Sequence, residues 1–337
     1  MILKGNKMRI GITGEKGFIA VNLAKEIESQ GNTFVSLDNS VYANEYMAFT
    51  ESCEVCVHRN SIDDWVSLFD DLDLDVIVHN AAVVGTDVVA LNPDESVMTN
   101  VLGTKKITEA ANISGVTIVY TGTTVIYDTF LYQDCDITEE SVIFPRTDYA
   151  IQKYAGEMFV RNNAKDWLVV RPLFAYGGVG DMNSLIAKSL YAVKNNVKNI
   201  DMFLDPDKIK DYMHVEDFCY SVVKLINSST RNDHFNITAE NPLDTLEIIS
   251  LIEKVTESTL DDVIEWHPDT DYLGNHRLSK QKFKNQTGIT RARSLELGIM
   301  QSWISIASTN SDYNPLKYLD EAKELGIDLL KHFPKIS

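Results

Sequence analysis

An α/β fold, a doubly wound parallel sheet with a smaller C-terminal α/β part, is the architecture predicted for this sequence, and three observations predict it. Short apolar runs alternate with helical patterns through the first half, the first run opens into a glycine-spaced turn, and the alternation loosens after Arg171.

The runs at 8–13, 33–37, 76–79, 117–121 and 167–171 read as buried strands, and 19–30, 61–69, 95–114 and 149–163 carry apolar residues at helical spacing. Such alternation gives parallel strands joined by crossover helices. Beyond Arg171, a loop around 176–180 leads to helices near 184–195, 214–227 and 246–258, with a short strand at 234–237. There is no internal repeat and no low-complexity linker.

The chain has 337 residues, 44% hydrophobic and 24% charged, enough for one or two cores. Its 31 basic and 49 acidic side chains give a net charge of -18, which repels phosphate backbones and anionic lipid and argues against nucleic acid and membrane partners. No stretch reaches the roughly 18 apolar residues that span a bilayer. Residues 1–7 lack the apolar core of a signal peptide and read as a frayed extension, so a cytoplasmic protein is expected. Cys53 and Cys56 have the spacing of a zinc knuckle or redox pair, but no second pair completes a metal site, and no metal is expected.

Chemistry enters at the end of the first strand. In Thr13-Gly-Glu-Lys-Gly-Phe-Ile-Ala20, small residues at 14, 17 and 20 let the chain turn tightly, let the backbone approach a pyrophosphate and let the helix pack on the strand. The helix N-terminus then offers amide donors to the phosphates. Lys16 either touches the pyrophosphate or is solvated. Asp38 ends the second strand, 24 residues after Gly14, where its carboxylate can accept both ribose hydroxyls and would repel a 2′-phosphate. That favours NAD over NADP; the other reading of Asp38 is a turn-forming residue.

Tyr149 and Lys153 stand at i and i+4, one turn apart on one helix face. A cation there favours the phenolate. Tyr154 points roughly a third of a turn away. The fourth strand ends in Thr121-Gly-Thr-Thr124, at the sheet edge where doubly wound folds bind ligands. Thr123 can there hydrogen-bond a substrate hydroxyl whose proton Tyr149 removes as hydride leaves for the nicotinamide.

Together these residues resemble the extended short-chain dehydrogenase/reductase family, the NAD-dependent epimerase/dehydratase group acting on nucleotide sugars. The likeness covers nearly the whole chain. The 13–20 loop looks like its TGxxGFIG, His79-Asn-Ala-Ala82 like HLAA, Asn100-Val-Leu-Gly-Thr104 like NVxGT, Arg171-Pro-Leu-Phe-Ala-Tyr-Gly177 like RPxNVYG, and 210–217 like RDFIHVDD. The resemblance implies a Rossmann domain over 8–172, with 213–238 returning to it, and a substrate-binding domain over 173–212 and 239–337. It implies catalytic roles for Thr123, Tyr149 and Lys153. Cofactor contacts are expected at Gly14, Lys16, Gly17, Phe18, Ile19, Asp38, Asn39, Ile62, Asp63, Ala81, Ala82, Asn100, Thr121, Tyr149, Lys153 and Pro172. Substrate contacts are expected at Thr123, Thr124, Phe174, Lys210 and Arg277.

The departures are informative. Family dehydratases carry Asp-Glu directly after the catalytic Thr; here Thr124-Val125 follows, which argues against dehydration and leaves epimerisation, oxidation or reduction. Phe174 stands for an Asn near the substrate diphosphate, and Lys210 for an Arg that holds it, giving up fork geometry for a point charge. Lys210 and Arg277 either supply positive charge to the substrate or pair with surface carboxylates. The leading expectation is a nucleotide-sugar epimerase holding NAD through oxidation to a keto sugar and re-reduction. The alternatives are a net dehydrogenase or ketoreductase and a non-catalytic NAD sensor. A homodimer through helices 95–114 and 149–163 is implied by the resemblance alone.

Overall fold

The structure is a computed structural model that describes residues 7–14, 17–38, 52–54, 56–57, 59–178, 181, 184–260, 262–268, 273–290 and 292–307. Lys16, Asn39 and the extension over 1–6 lie outside the described residues. The strands are β1 (Arg9–Thr13), β2 (Thr33–Asp38), β3 (Ser52–Glu54), β4 (Val76–His79), β5 (Thr117–Thr121), β6 (Trp167–Pro172), β7 (Phe174–Tyr176), β8 (Ile200–Met202), β9 (Ile209–His214), β10 (Asp233–Ile237), β11 (Pro242–Asp244) and β12 (Ile264–Trp266). The helices are α1 (Phe18–Ser29), α2 (Ile62–Asp71), α3 (Thr86–Leu91), α4 (Pro93–Val97), α5 (Thr104–Ser114), α6 (Asp148–Asn163), α7 (Leu185–Asn195), α8 (Val215–Ile226), α9 (Thr245–Thr256), α10 (Gln281–Thr287) and α11 (Leu295–Ala307).

Seven described strands form one sheet in the order β10–β6–β5–β4–β1–β2–β3, with parallel pairing throughout. This is the doubly wound Rossmann-like arrangement expected. Strand residues alternate between the two faces, so each run feeds two cores. Ile10, Ile12, Val76, Val78 and Val170 meet α1 and α8 on one side. Val35, Ile77, Ile118 and Val169 meet Trp65, Phe69, Ile107 and Val160 on the other. Each fully buried Ile or Val stabilises by about 1.5–3 kcal/mol relative to exposure. The order reverses between β1 and β4, and their C-terminal ends open the crevice where such sheets bind ligands.

A further core gathers Leu185, Ile186, Leu190, Ile248, Ile252, Leu297, Ile299 and Trp303 from α7, α9 and α11. Beside them lie the sheet β11–β9–β7 and the pair β12–β8. Here the sequence reading is thinner than the fold. Strands of three residues leave no period to detect, and α11 buries Leu297, Gly298, Ile299, Met300 and Gln301 in succession, so it shows no one-sided stripe. No helix among the described residues is long and apolar enough to cross a membrane.

The expected single helix over 95–114 is corrected: a π-helical turn, Met98–Gly103, interrupts it between α4 and α5. The cause is local. The Asn100 amide is held across the turn, its Oδ1 accepting from Val83 N at 2.8 Å and its Nδ2 donating to Val83 O at 3.0 Å and Gln152 Oε1 at 2.9 Å. Its carbonyl faces Gly156 of α6, where an added Cβ would lie 2.8 Å away. The Thr104 hydroxyl donates to that same carbonyl at 2.8 Å. Widened turns of this kind recur at functional sites.

Candidate active site

The site begins where β1 runs into α1. Gly14 has φ +68, and a Cβ there would sit 2.7 Å from Ala81 Cα, so only glycine fits against the β4 loop. The Gly17 amide donates to Gly14 O at 3.0 Å and closes the turn. Gly17 is also the N-cap of α1, and among the described residues no side chain caps that end. The first amides of α1 are thus presented at the crevice with the positive end of the helix dipole. These features fit a dinucleotide pyrophosphate: a tight loop, close backbone approach and an uncapped helix start.

A buried polar chain fixes the loop to its neighbours. Thr13 Oγ1 lies 2.8 Å from His79 Nδ1, and His79 Nε2 lies 2.9 Å from Thr104 Oγ1. Ala81 N donates to Thr13 Oγ1 at 3.2 Å. Burial pushes the His79 imidazole down to about 3, with Lys153 adding repulsion, so the ring stays neutral and serves as a strut.

The opposite wall comes from β5 and α6. Thr147 starts α6, its hydroxyl accepting from Ala150 N at 3.2 Å. This sets the helix so that Tyr149 and Lys153 both line the cleft, as do Thr121, Gly122, Thr123 and Thr124. The Thr123 hydroxyl accepts weakly from Val125 N at 3.4 Å. Thr124 Oγ1 donates to Pro172 O at 3.3 Å. Lys153 is 4% exposed, its ammonium 4.4 Å from the Tyr120 ring centroid. Burial draws its pKa down to about 7, while Glu157 pulls it back up. Tyr154 packs instead against the cluster of Ile126, Tyr127, Ile137 and Leu173.

These groups border one cleft of about 910 Å³, in the range that holds ligands of cofactor size. Gly14, Gly17, Phe18, Ile19, Ala81, Ala82, Thr121, Thr123, Thr124, Tyr149, Lys153, Pro172 and Phe174 all line it. Asp38 closes β2, and its side chain lies outside the described residues; Ile62 and Asp63 form the first turn of α2 and do not line the cleft. Asn100 stands behind the cleft wall in the π turn.

The substrate end looks different. Phe174 packs its ring 5.3 Å from Tyr212 and 5.2 Å from His276. Lys210 is 1% exposed, its ammonium 5.7 Å from the Phe174 ring, and it does not line the cleft. Arg277 Nε lies 3.4 Å from Asp136 Oδ1, also away from the cleft. Lys188, Phe203 and Tyr212 do line it; no motif marked Lys188 or Phe203, and Tyr212 falls within the 210–217 motif without having been singled out. Lys188 is the first exposed position of α7, flanked by buried Leu185, Ile186, Ala187 and Ser189.

A family profile described as "NAD dependent epimerase/dehydratase family" matches residues 10–238. The chain is 25% identical over 266 residues to a dTDP-glucose 4,6-dehydratase of Mycobacterium tuberculosis, covering 76% of this chain and 80% of that protein. It is 26% identical over 261 residues to a GDP-6-deoxy-D-talose 4-dehydrogenase of Aggregatibacter actinomycetemcomitans, covering 74% and 80%. The structure of a UDP-glucose 4-epimerase from Thermus thermophilus in complex with NAD superposes with a TM-score of 0.77 at 18% identity, covering 88% of this chain and 98% of that one. The match over more than half of the chain, joined to the cofactor cradle and the cleft, means that the chain belongs to the NAD dependent epimerase/dehydratase family and is an NAD-dependent enzyme.

Proposed function

We propose that the protein is a nucleotide-sugar epimerase that keeps its NAD through turnover. The observation that carries this reading is the composition of the cleft wall after Thr123. Thr123, Tyr149 and Lys153 share the cleft, but the next positions are Thr124 and Val125, which also line it and offer no carboxylate to drive elimination of water.

In this reading Tyr149 Oη takes the proton of the substrate hydroxyl, and Thr123 Oγ1 holds that hydroxyl in line. The Lys153 ammonium, one turn along α6, stabilises the phenolate and binds the nicotinamide ribose. Bound NAD would supply the hydride acceptor and donor that such a reaction needs. The cleft wall at Phe174, Phe203 and Tyr212 then has to let the keto sugar turn before the proton comes back from Tyr149. Residues 8–172 with 213–238 would hold the cofactor, and 173–212 with 239–337 the substrate. Asp38, at the end of β2, would take the adenosine ribose.

The reading includes a cytoplasmic homodimer. Its support is the exposed apolar surface of Val97, Met98, Leu102 and Ile151 along α4, the π turn and α6, between 40% and 51% exposed.

A net dehydrogenase or ketoreductase is the second reading, favoured by the withdrawal of Lys210 and Arg277 from the cleft. Proton NMR of UDP-, GDP-, dTDP- and CDP-sugars with enzyme and a trace of NAD separates the two. Conversion to an epimer in large excess over NAD supports the epimerase; conversion that stops when NAD is spent supports the dehydrogenase. A Tyr149→Phe enzyme with unchanged turnover overturns both.

A further inference from the structure

Behind the cleft wall lies a group of buried charges that the mechanism does not use. Glu157 follows Lys153 by four residues, so Tyr149, Lys153 and Glu157 stack along one face of α6. Arg171, from β6, grips Glu157 with two bonds, Nε to Oε2 at 3.0 Å and Nη2 to Oε1 at 2.5 Å, and the two side chains are 0% and 1% exposed. Arg161 adds a third contact, Nη1 to Oε1 at 3.1 Å. The Arg171 Nη1 also donates to Tyr127 Oη, and Tyr127 in turn donates to Asn236 Oδ1 at 2.9 Å.

The pair sits directly under the strand end that carries Thr123. A Cβ added at Gly122 would come within 3.3 Å of both Arg171 Cγ and Glu157 Oε2. Replacing a buried ion pair with apolar residues is often neutral or stabilising, so folding stability alone gives little reason for this one.

We propose that Glu157 and Arg171 are positioning residues of the reaction: together they set the charge that Lys153 presents beside Tyr149. This rests on the reading of Tyr149 and Lys153 given above. Glu157 is the anion that holds the proton on Lys153 against the pull of burial, and Arg171 tempers it from behind. The other groups facing Lys153 do not compete. His79 on β4 is neutral near pH 7, with its pKa down at about 3, and the Tyr120 phenol on β5 is pushed well above the ordinary tyrosine value by burial and stays protonated. Around Glu157, His234 is likewise neutral at about 4, and Tyr127 is raised to about 12.

The test needs no known substrate. The full-length protein is acetylated with a trace of acetic anhydride from about pH 5 to about pH 11, and labelling of Lys153 is read by peptide mass spectrometry with exposed Lys188 as reference. The wild-type midpoint for Lys153 is expected at about 7. Glu157→Gln should lower it by about one pH unit, Arg171→Gln should raise it by a similar amount, and Arg171→Lys should restore it. Opposite shifts are a charge signature that loosened packing would not produce. If Glu157→Gln does not fold, judged by melting and by NADH binding, the two Arg171 variants carry the same test. Shifts in one direction, or midpoints that stay together, overturn the proposal. Retained turnover in Tyr149→Phe would instead sink the reading of the site and leave the lysine midpoints as they are.

Discussion

At one end of the cleft the binding groups are backbone, and at the other they are side chains. The pyrophosphate end uses Gly14 at positive φ, the amides of an uncapped α1 and the close approach of Ala81, all fixed by the strand–turn–helix path itself. The far end of the cleft, proposed above to take the substrate, is lined by Phe174, Tyr212, Phe203 and Lys188, which arrive from β7, β9, the residue after β8, and α7. A backbone site survives long sequence divergence because few side chains can break it. A side-chain site depends on where each side chain packs, as Lys210 illustrates. Standing where an arginine was expected to reach the substrate, it is instead folded behind Phe174.

The sharpest way to break this comparison is at the shared centre. Tyr149→Phe should cut kcat by roughly 10²- to 10⁴-fold, the usual worth of a positioned acid–base group, while NADH fluorescence titration shows unchanged affinity. Next in size is Gly14→Val. The left-handed backbone and the contact with Ala81 should lower NAD affinity by about 5- to 150-fold, since strain of roughly 1–3 kcal/mol is introduced where the backbone must hold its turn. A thermal shift on adding NAD that matched the wild type would show that the loop tolerates a side chain.

Smaller effects distinguish the substrate end. Lys188→Ala should raise KM for an anionic substrate about two- to fivefold with kcat held, as expected for one exposed charge. Lys210→Met should leave KM within about twofold, because its ammonium lies behind the aromatic wall and not in the cleft. The reverse ranking of these two KM values would restore Lys210 as the substrate cation.

The imidazoles of His79, His214 and His276 are all held down at about 3 by burial. Between about pH 6.5 and about pH 3 the unfolded chain binds these protons and the folded chain does not, so stability present above pH 6.5 is lost as pH falls through that window. Melting temperature against pH should therefore begin to drop near pH 6.5, ahead of the carboxylates. His276→Phe should flatten this limb. His79→Phe should also break the Thr13–Thr104 strut. If His276→Phe left the acid limb unchanged, that imidazole would not be buried neutral.

The parallel sheet, the glycine turn after β1 and the alignment of Tyr149 with Lys153 could be read from residue order. Each of these is a local consequence of chain geometry: a strand period of two, a helix repeat near four, and glycine where a Cβ has no room. Thr123 was legible for the same reason, because a strand end in a doubly wound sheet points at the crevice. Tertiary structure alone decided the rest. The π turn at Asn100 depends on Val83 and Gln152, one before and one well after it in the chain. The protonation of Lys153 depends on Tyr120, Glu157 and the burial that surrounds them. Whether Lys210 faces substrate or core depends on how β9 lies against β7. Burial and electrostatic environment are properties of contacts between distant segments, and no spacing along the chain encodes them directly.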